Sequence, residues 1–218
     1  CEKVCPILNR REGNRLKKAY ACYNLDEDIR MKSSSGGTFT ILAVEVINDN
    51  GVVFGAKFDE DFNVVHDYVE DIDGLSKFRG SKYVQSNIGD SFIQAKKFLD
   101  DGRKVLFSGT PCQIGGLKSY LNKDYENLVT VDLICHGVPS PMIWQRYINE
   151  IGDGKKLSAM TFRDKSKGWN SGILRYKFED GSEIIEEYGE SLYIKGFIKN
   201  CFLRPSCYKC NFKTLDRI

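Results

Sequence analysis

The chain has 218 residues, of which 41% are hydrophobic and 28% charged, an ordinary composition for a folded protein. Its 32 basic and 30 acidic side chains are interspersed and nearly cancel, which argues against a dedicated nucleic-acid surface. The most apolar run, residues 39–47, is short and contains Glu45, so we expect a cytoplasmic protein with no membrane span and no nucleic-acid partner.

The eight cysteines are many for a chain of this size. Closely spaced cysteines without a secretion signal favour metal or cluster ligands over disulfides. Cys1, Cys5 and Pro6 form C-x3-C-P, which is the tail of the bacterial ferredoxin motif. Because the motif is cut and no initiator Met is present, we expect a fragment in which residues 1–23 are the tail of a truncated ferredoxin-like segment.

Residues 19–25 read as a strand, with Cys22 in the core. A Ser/Gly loop at residues 33–38 follows, and apolar residues then recur at helical spacing over 39–47. Hydroxyls and free backbone N–H groups at a helix start favour an anion site. The alternative is an N-cap with flexible linkage. Neither a Walker loop nor a dinucleotide fingerprint is present.

A hairpin is predicted from residues 52–58 and 64–69, and a short helix over 71–78. His66 alternates with apolar neighbours in the second strand, which favours a surface or satisfied core histidine. In the next segment Lys82 is suited to a phosphate and Tyr83 to stacking on a planar ring. An amphipathic helix is predicted over residues 88–99.

A strand-to-helix turn lies within residues 105–121. Thr110 is suited to the N-cap and Pro111 to the first helical position, which places Cys112 in the first turn. There the positive end of the helix dipole stabilises a thiolate. The turn predicts a reactive or metal-binding sulfur, an anion site, or both; a buried structural cysteine is the alternative.

A second such unit follows: a strand over residues 128–134, a loop with Cys135 and His136, and a helix over 142–151. The spacing is that of a βαβ unit, so the two strands are predicted to be parallel, with both cysteine loops at their carboxyl edge. Ligands of open α/β sheets bind at that edge. We therefore expect Cys112, Cys135 and His136 to line one site.

The last third predicts a strand over residues 157–162, a hairpin from 173–178 and 182–188, and a helix over 192–200. Arg163, Lys165 and Trp169 either hold a phosphate-bearing ring ligand or form an ordinary surface loop. The final motif, Cys201-x5-Cys207-x2-Cys210, supplies three thiolates of a metal site. Cys135 or Cys112 can supply the fourth thiolate if the C-terminus folds back across the sheet edge.

Together these elements predict an α/β (or α+β) fold. We expect a mixed sheet with a parallel βαβ core, helices on its faces, β-hairpin excursions and Cys-rich ends.

Several motifs now combine in one order along the chain. They are S-S-G-G-T, G-S-K-Y-V-Q-S, S-G-T-P-C-Q-I-G-G-L, D-L-I-C-H-G-V-P-S-P, F-R-D-K-x3-G-W and C-x5-C-x2-C-x-F-K. As an ordered set they resemble the beta-subunit family of deazaflavin-coenzyme (F420) hydrogenases and dehydrogenases over nearly the whole chain. The resemblance implies FAD held beside 4Fe-4S clusters, in an oxidoreductase that moves electrons or hydride between the flavin and a deazaflavin-like or other organic substrate.

The resemblance also implies roles for single residues. The flavin would be held by Ser34, Ser35, Gly36, Gly37, Thr38, Ser81, Lys82, Tyr83, Gly109, Thr110, Pro111 and Cys112, with Arg163 and Lys165 as further candidates. One four-iron cluster would be bound by Cys135, Cys201, Cys207 and Cys210, with Cys112 in reserve, and Cys1 and Cys5 match half of a second cluster segment. The candidate catalytic groups are Cys112, His136 and Lys82.

On this interpretation residues 24–200 form a flavin-binding α/β catalytic domain and residues 201–218 a truncated C-terminal cysteine segment. The partners would be a small-molecule redox substrate and an electron-donor protein or subunit. Two alternatives remain open: a thiol-nucleophile enzyme in which Cys112 attacks and His136 is the base, and a zinc-stapled interaction domain without catalysis.

Overall fold

The computed structural model describes residues 18–213, which contain seven strands, six α-helices and three short 3-10 helices. The strands are β1 (Val52–Phe58), β2 (Val64–Val69), β3 (Val105–Gly109), β4 (Leu128–Asp132), β5 (Leu157–Asp164), β6 (Ile173–Phe178) and β7 (Glu183–Glu187). The helices are α1 (Glu27–Lys32), α2 (Thr38–Asn48), α3 (Ser91–Asp100), α4 (Pro111–Leu121), α5 (Pro141–Gly152) and α6 (Leu192–Ile198). The 3-10 helices are Asp73–Phe78, Pro205–Lys209 and Asn211–Lys213.

The first sheet has four strands in the order β2-β1-β3-β4. The predicted hairpin of β1 and β2 is confirmed, and it closes through Asp59, whose N–H donates to Asn63 O at 2.9 Å. β3 is parallel to β1 on one side and to β4 on the other, with Gly109 in register with Asp132. The βαβ prediction is therefore confirmed, and the carboxyl ends of β3 and β4 lie side by side.

Both faces of this sheet are covered by helices. Phe54 and Phe107 pack with Leu117 on the face of α3 and α4, whereas Val53 and Leu106 pack on the face of α2. The central strands are apolar on both faces because neither face is open to water.

The second sheet is antiparallel in the order β5-β6-β7 and packs with α5 and α6. Its core is aromatic and includes Trp144, Phe162, Tyr176 and Tyr193, all 1% exposed or less. Val64 of β2 belongs to the same buried cluster. The hairpin of the first sheet therefore packs into the core of the second sheet, and the predicted α/β class with a parallel core and hairpins is confirmed.

The strand predicted at residues 19–25 is wrong. This segment is irregular, and Asn24 N donates to Gly36 O at 2.7 Å, so its backbone is bound to the Ser/Gly loop rather than to a sheet. Cys22 is exposed, not in the core, with Sγ 3.4 Å from Thr38 Oγ1. Alternation alone does not make a strand when no neighbouring strand is available to pair with it.

β4 ends at Asp132, two residues earlier than predicted, and Leu133 and Ile134 are 57% and 90% exposed. β4 is an edge strand whose single neighbour, β3, ends at Gly109. Leu133 N still donates to Gly109 O at 3.1 Å, and because β3 ends there the chain leaves the ladder with its apolar side chains at the edge of the sheet.

Cys1 and Cys5, with the rest of the predicted ferredoxin-like segment before residue 18, lie outside the described residues. Within the described part of the chain, every helix is too short or too polar to cross a bilayer.

Candidate functional site

A cavity of about 780 Å³ opens beside the carboxyl ends of β3 and β4, where ligands of α/β sheets bind. Its volume lies within the roughly 300–1,000 Å³ that is usual for small-molecule sites. Five parts of the chain form most of its wall: residues 33–39, 78–84, 108–110 and 133–139, and one face of α6 with Ile194, Phe197 and Ile198. Predicted loops distant in sequence therefore meet at one place.

The Ser/Gly loop lies on the cavity wall and runs directly into α2. Gly37 is the N-cap at φ 79°, a left-handed conformation that glycine adopts without strain, and no side chain caps this helix. Ser81 Oγ donates to Ser34 Oγ at 2.7 Å, which fastens the loop to the segment after the first 3-10 helix. An uncapped helix start beside hydroxyls favours an anionic group of a ligand.

Lys165 is buried below this loop and does not line the cavity. Its Nζ donates to Arg30 O at 2.9 Å and to Ser35 O at 3.1 Å, and it lies 4.5 Å from the centroid of the Trp169 ring. Burial lowers the pKa of Lys165, and the charges of Arg163 and Arg30 add to the shift. The lysine therefore fastens the loop backbone.

Arg163 also lies outside the cavity wall. Its guanidinium carbon lies 5.9 Å from the centroid of the Trp169 ring. The structure thus places neither predicted cation of this segment where it would meet a phosphate in the cavity.

Lys82 lines the cavity, but its ammonium is bound by backbone. Nζ donates to Arg79 O at 3.1 Å, to Gly80 O at 3.3 Å and to Phe78 O at 3.4 Å. Burial lowers the pKa of Lys82 to about 8, because desolvation disfavours the charged form. Lys82 can therefore gain or lose a proton close to neutral pH.

Tyr83 also lies on the wall, and its ring already has aromatic neighbours. The ring centroids of Phe162 and Phe197 each lie 5.3 Å away. Its carbonyl accepts a hydrogen bond from Tyr193 Oη at 2.7 Å. Tyr83 thus joins the wall to the aromatic core of the second sheet.

The turn between β3 and α4 has the predicted N-cap, Thr110, and the predicted proline in the first turn. Gln113 Oε1 accepts from Thr110 N at 2.9 Å, while Gln113 Nε2 donates to Ser86 Oγ at 2.8 Å. A Cβ on Gly109 would lie 3.1 Å from Gln113 Oε1, so glycine allows this close approach. Gly109 and Thr110 line the cavity, whereas Pro111 and Cys112 do not.

Cys112 is not hydrogen-bonded to a base. Its Sγ lies 3.2 Å from Thr110 Oγ1. His136 is exposed and lies edge-on to Phe197, with ring centroids 5.1 Å apart. No hydrogen bond between Cys112 and His136 is found in the described residues, so the contact that a thiol nucleophile requires is absent there.

The C-terminal segment folds back onto the loop after β4, as the fourth-ligand prediction requires. Ser140 N donates to Phe202 O at 3.0 Å and Arg204 N donates to Val138 O at 2.9 Å, around a bridge between residues 139 and 203. A Cβ on Gly137 would lie 2.6 Å from Leu203 Cδ1. The close packing at residue 137 brings the cysteine motif to the edge of the first sheet.

Thiols from α4 and from the returning segment lie close enough to Cys135 to act on it electrostatically. Burial, as the largest cause, and the neighbouring thiols of Cys112, Cys207 and Cys210 together raise the pKa of Cys135 to about 11. Cys201 is exposed. Among residues 18–213 no three His, Cys, Asp or Glu side chains are grouped closely enough to hold a metal ion as they stand.

His66 is a site residue that sequence reasoning missed. It lines the cavity although it is only 8% exposed, and its Nε2 lies 3.0 Å from Ser108 O. Its Nδ1 is buried and has no hydrogen-bond partner in the described residues. Its alternation with apolar neighbours left a surface and a satisfied core position both open, and the structure shows a buried ring with one nitrogen that has no partner in the described residues.

The chain is similar to known proteins in two comparisons. The family described as the C terminus of the coenzyme F420 hydrogenase/dehydrogenase beta subunit matches residues 102–216. A chain in a solved structure of the F420-reducing NiFe hydrogenase complex from Methanosarcina barkeri is 21% identical, with a TM-score of 0.55. The match covers 86% of the present chain and 63% of that chain, and at this identity it shows a shared fold. No curated protein matches the sequence.

Proposed function

Because the chain belongs to the family of coenzyme F420 hydrogenase/dehydrogenase beta subunits, we propose that it is a flavin- and iron–sulfur-dependent oxidoreductase subunit. It moves electrons or hydride between FAD and a deazaflavin-like or other organic substrate. The observation that carries the proposal is the shared cavity, since the Ser/Gly loop and the loop with Cys135 line the same space of about 780 Å³.

The cavity has the properties that a flavin needs. The start of α2 and the hydroxyls of Ser34 and Ser81 suit the phosphates, and apolar side chains such as Phe78 and Phe197 suit a planar ring. The proposed contacts are Ser34, Ser35, Gly36, Gly37, Thr38, Ser81, Tyr83, Gly109 and Thr110. FAD would supply the hydride and single-electron chemistry, while the protein orients it and excludes water.

We give Lys165 and Lys82 roles that differ from those implied by the family resemblance. Lys165 supports the loop from below, through its hydrogen bonds to Arg30 O and Ser35 O. Lys82 stands on the wall, but its ammonium is held by the carbonyls of Phe78, Arg79 and Gly80, so we assign it the support of this turn and not a contact with the bound ligand.

We propose Cys112, Cys135, Cys207 and Cys210 as the ligands of one 4Fe-4S cluster. Support comes from the electrostatic influence of the other three thiols on Cys135, whereas Cys201 is exposed. A four-iron cluster takes four cysteine thiolates, and metal binding would offset the cost of placing those charges together. The cluster would supply single-electron transfer next to the cavity.

The substrate and the electron-donor protein or subunit are proposals from the same family membership. The exposed side chains of Leu133 and Ile198 lie at the wall of the cavity and leave its rim apolar. A planar organic substrate would approach the flavin across this rim.

Anaerobic purification followed by a UV–visible spectrum and counts of flavin, iron and acid-labile sulfide tests the proposal. We expect FAD together with about four iron and four sulfide per chain. A colourless anaerobic preparation without acid-labile sulfide would contradict it. Stoichiometric zinc without flavin in that preparation would instead support the zinc-stapled interaction domain.

A further inference from the structure

The charge of the cavity wall comes from two cations. Among the described residues that form this wall, the Lys and Arg side chains are Arg79 and Lys82, and there is no Asp or Glu. Lys82 Nζ is already held by the backbone carbonyls of residues 78–80. The guanidinium of Arg79 is therefore the positive group that a ligand of this cavity can meet.

A hydrogen bond fixes this guanidinium at the first turn of α2. Arg79 Nε donates to Thr40 Oγ1 at 3.2 Å, and Thr40, which is 1% exposed, lies two residues after the start of the helix at Thr38. Residues 35–39, which lead into the helix, form the wall of the same cavity as Arg79 itself. The guanidinium therefore lies where the Ser/Gly loop enters α2.

The two terminal nitrogens of the guanidinium are unpaired. Neither Nη1 nor Nη2 of Arg79 has an acceptor or an ion-pair partner within residues 18–213. Neither belongs to the buried polar atoms without a partner, so solvent reaches both of them. Two Nη groups form a planar fork that matches two oxygens of a phosphate.

We propose that Arg79 binds a phosphate group of the ligand in this cavity through Nη1 and Nη2. The inference rests on the proposed function, in which that ligand is FAD and the group is its pyrophosphate. Because no carboxylate on the described wall offsets the guanidinium, an anionic ligand is favoured over a neutral one. Arg79 thereby makes the cavity selective for flavins that carry phosphate.

Three flavins that differ in their phosphates test this assignment. Riboflavin carries none, FMN carries one and FAD carries two. Their dissociation constants are measured by fluorescence titration of the flavin-free full chain, as wild type, Arg79→Met and Arg79→Lys. Arg146→Met is the matched control, because Arg146 is an exposed residue of α5 that does not line the cavity.

We expect Arg79→Met to bind FAD and FMN roughly 10- to 100-fold more weakly than wild type and riboflavin within about 2-fold, as for loss of a charge-assisted contact to phosphate alone. Arg79→Lys should recover part of the affinity for FAD, since it keeps the charge but not the fork. Added NaCl should weaken FAD binding more in the wild type than in Arg79→Met. Arg146→Met should bind all three flavins as the wild type does.

Two results overturn the proposal. One is an Arg79→Met variant that binds FAD and FMN as tightly as the wild type; the other is an equal loss of affinity for riboflavin, FMN and FAD, which identifies a structural role. If neither Arg79 variant folds, the wild type is used alone. FMN that binds more tightly than riboflavin and loses this advantage in NaCl supports the proposal, and FMN that binds no more tightly overturns it.

Inorganic pyrophosphate distinguishes failure of this inference from failure of the proposed function. Flavin binding that does not depend on Arg79 overturns the inference and leaves the proposed function standing. A wild type that binds no flavin overturns the proposed function, and calorimetric titration with inorganic pyrophosphate then tests the phosphate site by itself. Pyrophosphate binding that is lost in Arg79→Met supports the site, whereas no binding, or equal binding to both proteins, overturns it as well.

Discussion

At the scale of single residues, two lysines of the cavity region bind backbone carbonyls. Lys82 Nζ donates to the carbonyls at the end of the first 3-10 helix, and Lys165 Nζ donates to those of Arg30 and Ser35. Each ammonium thereby stabilises a turn that forms the cavity wall. The uncapped start of α2 is therefore the place that we propose for an anionic group of the ligand.

Lys82 gives a pH dependence of stability. Its pKa is about 8 in the folded protein against 10.5 as the ordinary value, so the unfolded chain binds more protons between these two values. The free energy of unfolding therefore rises with pH across that window. We expect the difference in unfolding free energy between wild type and Lys82→Met to shift in favour of wild type from pH 8 to 10.5, as measured by urea denaturation.

Lys77→Met is a matched control, since Lys77 is exposed and lies on the 3-10 helix just before Lys82. The difference in unfolding free energy between Lys77→Met and wild type should stay constant over the same pH range. A Lys82→Met difference that is equally flat would show that the ammonium is not desolvated.

The cysteines give a second prediction at this scale. Cys207→Ser removes a proposed ligand and should lower the iron and sulfide content of anaerobic protein, because only three of the four proposed thiolates remain. Cys201→Ser is the matched control from the same motif. It should keep the wild-type iron content, since Cys201 is exposed and is not among the proposed ligands. Loss of iron in Cys201→Ser with retention in a Cys112→Ser variant would restore the ligand set implied by the family resemblance.

At the scale of elements, two strand-to-helix connections and one returning segment build the site. The β3–α4 turn places Gly109 and Thr110 on the cavity wall. The loop after β4 continues along the same edge and pairs with the C-terminal segment through the bridge between Pro139 and Leu203. The cysteine motif reaches the sheet edge because of this pairing.

Gly137 tests the importance of that pairing. Gly137→Ala introduces a Cβ 2.6 Å from Leu203 Cδ1 at φ 155°, so the Leu203 side chain, which is only 6% exposed, or the segment that carries it has to shift. We expect faster proteolysis after Arg204 and a lower iron content, with thermal unfolding lowered by a few degrees. Gly181→Ala, at φ 82° with open space around the new Cβ, controls for backbone strain alone. Equal behaviour of the two variants would show that the segment is not held at Gly137.

At the scale of the whole molecule, one aromatic core joins the two sheets. Trp144 of α5 is fully buried and packs on Phe162 and Tyr193, with ring centroids 5.0 and 5.3 Å away. Its Nε1 donates at 2.8 Å to Phe62 O, in the hairpin of the first sheet. The sheets should therefore unfold as one cooperative unit.

Trp144→Phe removes this hydrogen bond and leaves Phe62 O without its donor. We expect the free energy of unfolding to fall by about 1–3 kcal/mol. Far-UV circular dichroism and the fluorescence of Trp169 should report the same single unfolding transition. Trp169→Phe, at a residue that is 51% exposed, should change stability much less. Two separate transitions in the wild type would contradict a shared core.

The sequence alone predicted most of the elements and the parallel pair β3 and β4, because strand alternation, helix periodicity, caps and turns depend on residues close together in the chain. It also indicated which loops meet at the sheet edge, since βαβ connectivity fixes that. The strand at residues 19–25 failed because a strand depends on a partner that local sequence does not specify.

Only the tertiary structure decided what each side chain is free to do. Lys165 is occupied by carbonyls 135 and 130 residues away, and His66 is fixed by one 42 residues away. Likewise, the thiols near Cys135 come from α4 and from the returning C-terminal segment. Whether a cation, a lone pair or a thiol is available to a ligand depends on contacts between distant residues, and these arise only when the chain packs.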